Sequence, residues 1–178
     1  MVLIVKYIAL LRGINVGGNH KVSMMKLKEV FHSLGYASIS TYLNTGNVIF
    51  TSDQSQEHVQ NQIQTCLLHL FSFEIPTLVK SQKEIQFIEQ SVPQNWENNQ
   101  EYKTDVGYLF PESDFPEILD DFDVNKQYIT MQYARGAVFW TLKKEHYSKS
   151  RINAILKTLH YKNMTIRNIN TTRHLAQI

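Results

Sequence analysis

Hydrophobic residues in this chain recur with two periods, and the switching between them lays out a fold. Val2 to Leu11 is a short run rich in Val, Ile and Leu closed by Gly13, the pattern of a buried strand. Met24, Leu27, Val30, Phe31 and Leu34 then recur at helical spacing, and Gly35 stops that helix. "ISTYL" and "VIFTS" flank "NTGN", whose Gly46 and asparagines tolerate the positive φ of a hairpin turn. Val59, Ile63, Cys66, Leu67 and Leu70 mark a second helix ending near Phe71, with Asp53 and Gln56 as its expected capping box. "IPTLVK" supplies a fourth strand, so the order is βαββαβ.

A helix near residues 82–90 and the polar stretch "PQNWENNQE" come next, and then the same order returns. "KTDVGYLF" reads as a strand. Asp114 with Glu117 is the expected cap of a helix carrying Phe115, Ile118, Leu119 and Phe122. "QYITMQY" and "AVFWTL" form a hairpin around Arg135 and Gly136; Ile152, Ile155, Leu156 and Leu159 mark a helix; "MTIRNI" is a last strand before a short C-terminal helix. No residue-level repeat accompanies this second pass. The expected architecture is α+β: two ferredoxin-like subdomains, each an antiparallel sheet with its helices on one face, at residues 1–80 and 102–178, with a linker helix and polar connection at 81–101.

That plan predicts which loops meet. The loop after the first strand and the hairpin between the second and third lie at one end of a ferredoxin-like sheet, so "RGINVGGN" and "NTGN" share an edge. The loop after the third strand and the exit from the fourth share the opposite end. In the second unit this brings "YSKSR" (Tyr147 to Arg151) beside "RNINT" (Arg167 to Thr171). Both edges are rich in donors that bind anions, particularly where glycines expose backbone N–H groups and a helix N-terminus follows.

"RGINVGGN" followed by Lys21, "TYLNTGNVIF" and the late "TIRNINT" resemble the three signature stretches of the bacterial family called domain of unknown function 1697. Together they span almost the whole chain. The resemblance implies a small bacterial cytoplasmic protein of α+β fold with no established activity, and it implies no catalytic residues. Where that family commonly has tryptophan between the two asparagines of the last stretch, this chain has Ile169, so a stacking role there does not carry over.

Composition narrows the classes. With 178 residues, 43% hydrophobic and 11% aromatic, the chain is long enough to bury a core and lacks disordered tracts. The first apolar run carries Lys6 near its centre and is about half the length a bilayer requires. It has neither a basic leader nor a cleavage site, so the expected location is cytoplasmic, with no membrane partner. The single cysteine, Cys66, rules out an internal disulfide and lies on a helix's apolar stripe, which favours packing over nucleophilic chemistry. The net charge of +2 hides a segregation: residues 1–51 carry +4, residues 52–142 carry −9 and residues 143–178 carry +7. Such asymmetry points to an anionic partner or to attraction between the segments themselves.

Candidate chemistry gathers at the two polar edges. In the first, Arg12, Asn15, Gly17, Gly18, Asn19, Lys21, Asn44 and Asn47 form a possible anion cradle. The competing reading is that the glycines supply positive φ and Asn15 braces the turn. No known phosphate-loop spacing is present. In the second, Ser148, Lys149, Arg151, Arg167, Asn168 and Asn170 are the candidates, with Ser148 or Ser150 an expected helix cap. The expected ligand is a phosphate-bearing molecule, a nucleotide or nucleic acid, held without a cofactor or metal. A second reading is an enzyme on a small phosphorylated or carboxylated substrate, with Arg12 and Lys21 as clamps and His20 or Tyr147 carrying a proton. A third is a protein-interaction module. "DFDVN" at 121–125 imitates a calcium loop, but Lys126 replaces the needed glycine. An RRM-type RNA surface fails in the first unit, where Asn47 and Ile49 stand in place of rings. It matches partly in the second, through Arg135, Gly136, Phe139 and Tyr108, although core packing accounts for those rings as well.

Overall fold

The computed structural model describes residues 3–18 and 20–178. Its elements are β1 (Val5–Leu11), α1 (Met24–Ser33), β2 (Ala37–Tyr42), β3 (Asn47–Ser52), α2 (Gln56–Phe71), β4 (Thr77–Ser81) and α3 (Gln82–Ser91). They continue with β5 (Tyr102–Leu109), β6 (Ile129–Ala134), β7 (Ala137–Lys143), the single turn α4 (Tyr147–Ser150), β8 (Met164–Asn168) and α5 (Ile169–Gln177). The strands form two antiparallel four-stranded sheets, ordered β2-β3-β1-β4 and β6-β7-β5-β8, the ferredoxin-like arrangement expected twice over. By contact density the chain divides into Met1–Gln82 and Lys83–Ile178.

In the first unit, strand alternation sends Tyr7, Ala9 and Leu11 of β1 and Val48 and Phe50 of β3 to one face. Leu27, Val30 and Phe31 of α1 and Val59, Ile63 and Leu67 of α2 close over that face. Rings interlock at its centre, with Phe31 and Phe50 edge to face at 5.1 Å. The cap of α2 differs from expectation: Ser55, not Asp53, accepts the His58 N–H, at 3.3 Å. Ser52 Oγ binds Gln54 N in a turn that takes up the residues an earlier start would need. The outer strand β2 is interrupted, since Ser38 is left-handed (φ 51°) and the pairing register shifts between Ala37 and Ser40.

The second unit keeps the strand order but replaces both expected α-helices. At the first, Pro116–Asp121 is a 3₁₀ segment. Pro116 lacks an N–H to donate, and the Asp114 carboxylate, expected as the cap, accepts instead from Tyr133 Oη at 2.9 Å and Gly136 N at 2.8 Å. At the second, Arg151 is left-handed (φ 57°) and ends α4, and 3₁₀ segments follow at Ile152–Lys157 and Leu159–Asn163. A three-residue period buries Ile152 and Ile155 and leaves Leu156 and Leu159 exposed, where the expected α-helix would bury all four. These segments cover Val138, Trp140, Leu142 and Met164. Both crossing segments pack on that one face, as expected, and the C-terminal helix lies on the other. Tyr108 Oη donates to Thr172 Oγ1 of α5 at 2.9 Å, and Gln86 of α3 donates to the Ala176 carbonyl beside it.

Candidate functional site

At the first edge the two predicted loops do meet. Leu11 N donates to Gly46 O at 2.8 Å, and Asn15 Nδ2 donates to Asn44 O at 2.8 Å. The same amide also donates to Val22 O while its oxygen accepts from Val22 N, both at 2.8 Å. Asn15 therefore ties three strands of chain together, and its side chain is engaged in bracing the loop. Asn47 is buried and donates to Tyr42 O and Thr45 Oγ1, holding the hairpin. Gly13, Gly17 and Gly18 have positive φ with open space around them, so conformation alone selects glycine there. Gly46 is different: a Cβ would lie 2.7 Å from Leu11 Cβ.

Around this frame sits an open depression of about 580 Å³ lined by Asn15, Gly18, Lys21, Val22, Ser23 and Asn44. Ser23 caps α1, accepting from Lys26 N at 3.4 Å, and the first turn of α1 has no acidic residue. Lys21 is exposed and forms no ion pair among the described residues. His20 stacks on Phe73 with ring centroids 4.2 Å apart. Arg12 is half-buried, donates its backbone N–H to Pro76 O, and does not line the depression. Asn19 lies outside the described residues.

The second edge resolves otherwise. Arg151 pairs with Asp123, Lys149 lies 5.7 Å above the Tyr128 ring, and Ser150 Oγ accepts from Ile152 N but caps neither segment, since His146 precedes α4 and Arg151 the 3₁₀ segment, both without a side-chain cap. Ser148 is exposed and accepts through its carbonyl from Arg151 N at 3.4 Å. Arg167 is buried on β8, donating to Thr165 Oγ1 and to the Ile166 carbonyl; burial pushes its guanidinium down to about 10, against the pull of Tyr108. Asn168 caps α5 by accepting from Thr171 N at 2.9 Å, and Asn170 donates to Asn98 O at 3.0 Å. Ile169 is buried. Tyr147 lines a cavity with Ile166, the residue before "RNINT", but no residue of 167–171 lines it, and strand alternation turns Arg167 to the opposite face of the sheet. Phe139 and Tyr108 are buried too, which disposes of the RRM-type surface.

One constellation had no sequence signal. His160 Nδ1 lies 2.9 Å from Ser113 Oγ, and its Nε2 lies 2.8 Å from Asp121. The three are 47 and 39 residues apart along the chain, so only folding brings them together. In serine hydrolases the hydroxyl faces Nε2 and the carboxylate Nδ1; here the nitrogens are exchanged and Ser113 has 0% exposure, so the trio clamps the 3₁₀ segments and has no nucleophile to present.

Among the described residues no helix is long and apolar enough to cross a membrane. No curated protein matches the chain. Among solved structures, a conserved bacterial protein from Streptococcus pneumoniae is 25% identical, with a TM-score of 0.86 and 98% of each chain covered. The first two signature stretches lie within residues 4–140, which match the family described as protein of unknown function (DUF1697), and the chain belongs to that family.

Proposed function

We propose that this protein binds a phosphate-bearing anion, a nucleotide or a nucleic-acid phosphate, in the depression of the first unit. The observation that carries this reading is the convergence of Lys21, the exposed backbone of Gly18, and the capped start of α1 around one open concavity. A helix start adds a partial positive charge, and Lys21, outside any ion pair among the described residues, adds a full one. Asn15 acts as the brace that fixes these groups, while Lys149, Arg151 and Arg167 of the second unit are engaged within the protein and play no part.

The test is a thermal-shift titration of the full chain with inorganic phosphate, mononucleotides and short oligonucleotides. A ligand that binds only the native state raises Tm. The expected rise shrinks as salt increases and disappears in Lys21→Ala. A rise indifferent to salt, or one retained in that variant, would overturn the proposal.

A further inference from the structure

The second unit holds a cavity of about 220 Å³ apart from the candidate cationic residues at its polar edge. Strand register sets its polar wall. Asp105 of β5 is the Cα partner of Trp140 of β7, so both side chains share a face with Lys103, two residues away along the strand. Tyr147 and Asn153 complete the wall, with Tyr147 Oη donating to Asn153 Oδ1 at 3.0 Å. Ile152, Ile155 and Ile166 form an aliphatic floor.

Two features of this cavity bear on the chemistry of an occupant. The Asp105 side chain, only 8% exposed, meets Lys103 Nζ at 2.9 Å, so a full ion pair of zero net charge lies in the wall. The indole N–H of Trp140, a residue 3% exposed, is buried with no hydrogen-bond partner among the described residues. Orphaned buried donors are rare because each forfeits its hydration. A molecule that covers an ion pair without stranding either charge must itself be net neutral. That argues against phosphates and polyamines. The molecule must offer an ammonium or N–H to Asp105, an acceptor to Lys103 and Trp140, and apolar bulk to the isoleucine floor.

A free α-amino acid with an apolar side chain meets all three demands, because one carbon carries both its ammonium and its carboxylate, which can lie side by side against Asp105 and Lys103. We propose that the second unit binds such an amino acid, its ammonium on Asp105 and its carboxylate on Lys103 and the Trp140 indole. This site is independent of the anion depression of the first unit.

The experiment titrates the full ¹⁵N-labelled chain with L-leucine, L-isoleucine and L-phenylalanine and follows the indole N–H cross-peaks, with Trp140→Phe assigning the relevant one. The Trp140 peak should move downfield and saturate. N-acetyl-L-leucine, which lacks the ammonium, and leucinamide, which lacks the carboxylate, should leave it in place. Asp105→Asn should weaken binding at least about tenfold through loss of a charged hydrogen bond. Leu156→Trp, at the exposed rim of the cavity, should block entry with Tm unchanged, and it decides the matter if the Asp105 variant fails to fold. Three results would overturn the proposal: no movement up to about 10 mM of any of the three amino acids, equal movement with N-acetyl-L-leucine, or an undiminished titration in Leu156→Trp. Lys21→Ala should leave this titration intact, so failure here and failure of the anion reading are separable.

Discussion

The two units share one strand order and differ in what their edges do with polar side chains. In the first, asparagines are engaged in holding loops, which leaves Lys21 and a glycine backbone facing an open depression. In the second, each basic residue of the corresponding reading meets an answer from the protein: Asp123 for Arg151, the Tyr128 ring for Lys149, and a buried site on β8 for Arg167. Topology thus decides which loops are neighbours, and the alternation of side chains along a strand decides whether their chemistry converges. A cluster of cations in sequence is weak grounds for a ligand until the carboxylates and rings around it are placed.

The contrast breaks most sharply at Gly46→Ala. The added Cβ meets Leu11 Cβ and Ile14 Cδ1 at 2.7 and 2.9 Å on a backbone with φ of 85°, and the expected loss, measured by urea unfolding, is about 3 to 5 kcal/mol. Asn15→Ala removes three hydrogen bonds from the same edge and should cost about 2 to 3 kcal/mol. If it leaves stability intact and abolishes anion binding, Asn15 is a ligand donor and the bracing role assigned to it fails.

Asp114→Ala, in the second unit, should cost about 1 to 2 kcal/mol by releasing Tyr133 and the Gly136 N–H. It also has a pH signature. Burial first, and then the Asp114 carboxylate, push the Tyr133 phenol up to about 12 in the folded chain. A phenol held neutral by folding contributes stability that is fully present below its unfolded value of 10 and is lost as pH rises towards about 12. Tyrosinate absorbance in Asp114→Ala should show this group titrating lower, closing that window from above. The smallest effect belongs to Arg151→Ala. Its ion pair with Asp123 is exposed on both sides, so the loss should not exceed about 0.5 kcal/mol, with no change in anion binding.

Strands, their order and the meeting of "RGINVGGN" with "NTGN" were legible in the sequence because period-two alternation and turn glycines are local signals. The crossing segments of the second unit were not. Ile152 and Ile155 fit a 3.6-residue and a three-residue period equally well over so short a span, and a left-handed Arg151 leaves no mark in composition. Within the first edge, the glycines and the bracing Asn15 could be read directly, whereas the depression needed the turn into α1 to be in place. Within the second, nothing local could reveal that Asp123 lies within reach of Arg151, 28 residues away, or that Trp140 would face Asp105 across two strands. Contacts of long sequence separation set those arrangements.

The break in β2 reaches beyond the single molecule. An outer strand of a sheet presents a row of N–H and C=O groups to any other chain that can align with it. With Ser38 left-handed and the register slipped by Ser40, that row on β2 is interrupted partway along. A second extended chain laid against it finds matched partners for only a few residues. The local defect in pairing thus shortens the stretch of edge that another chain could use.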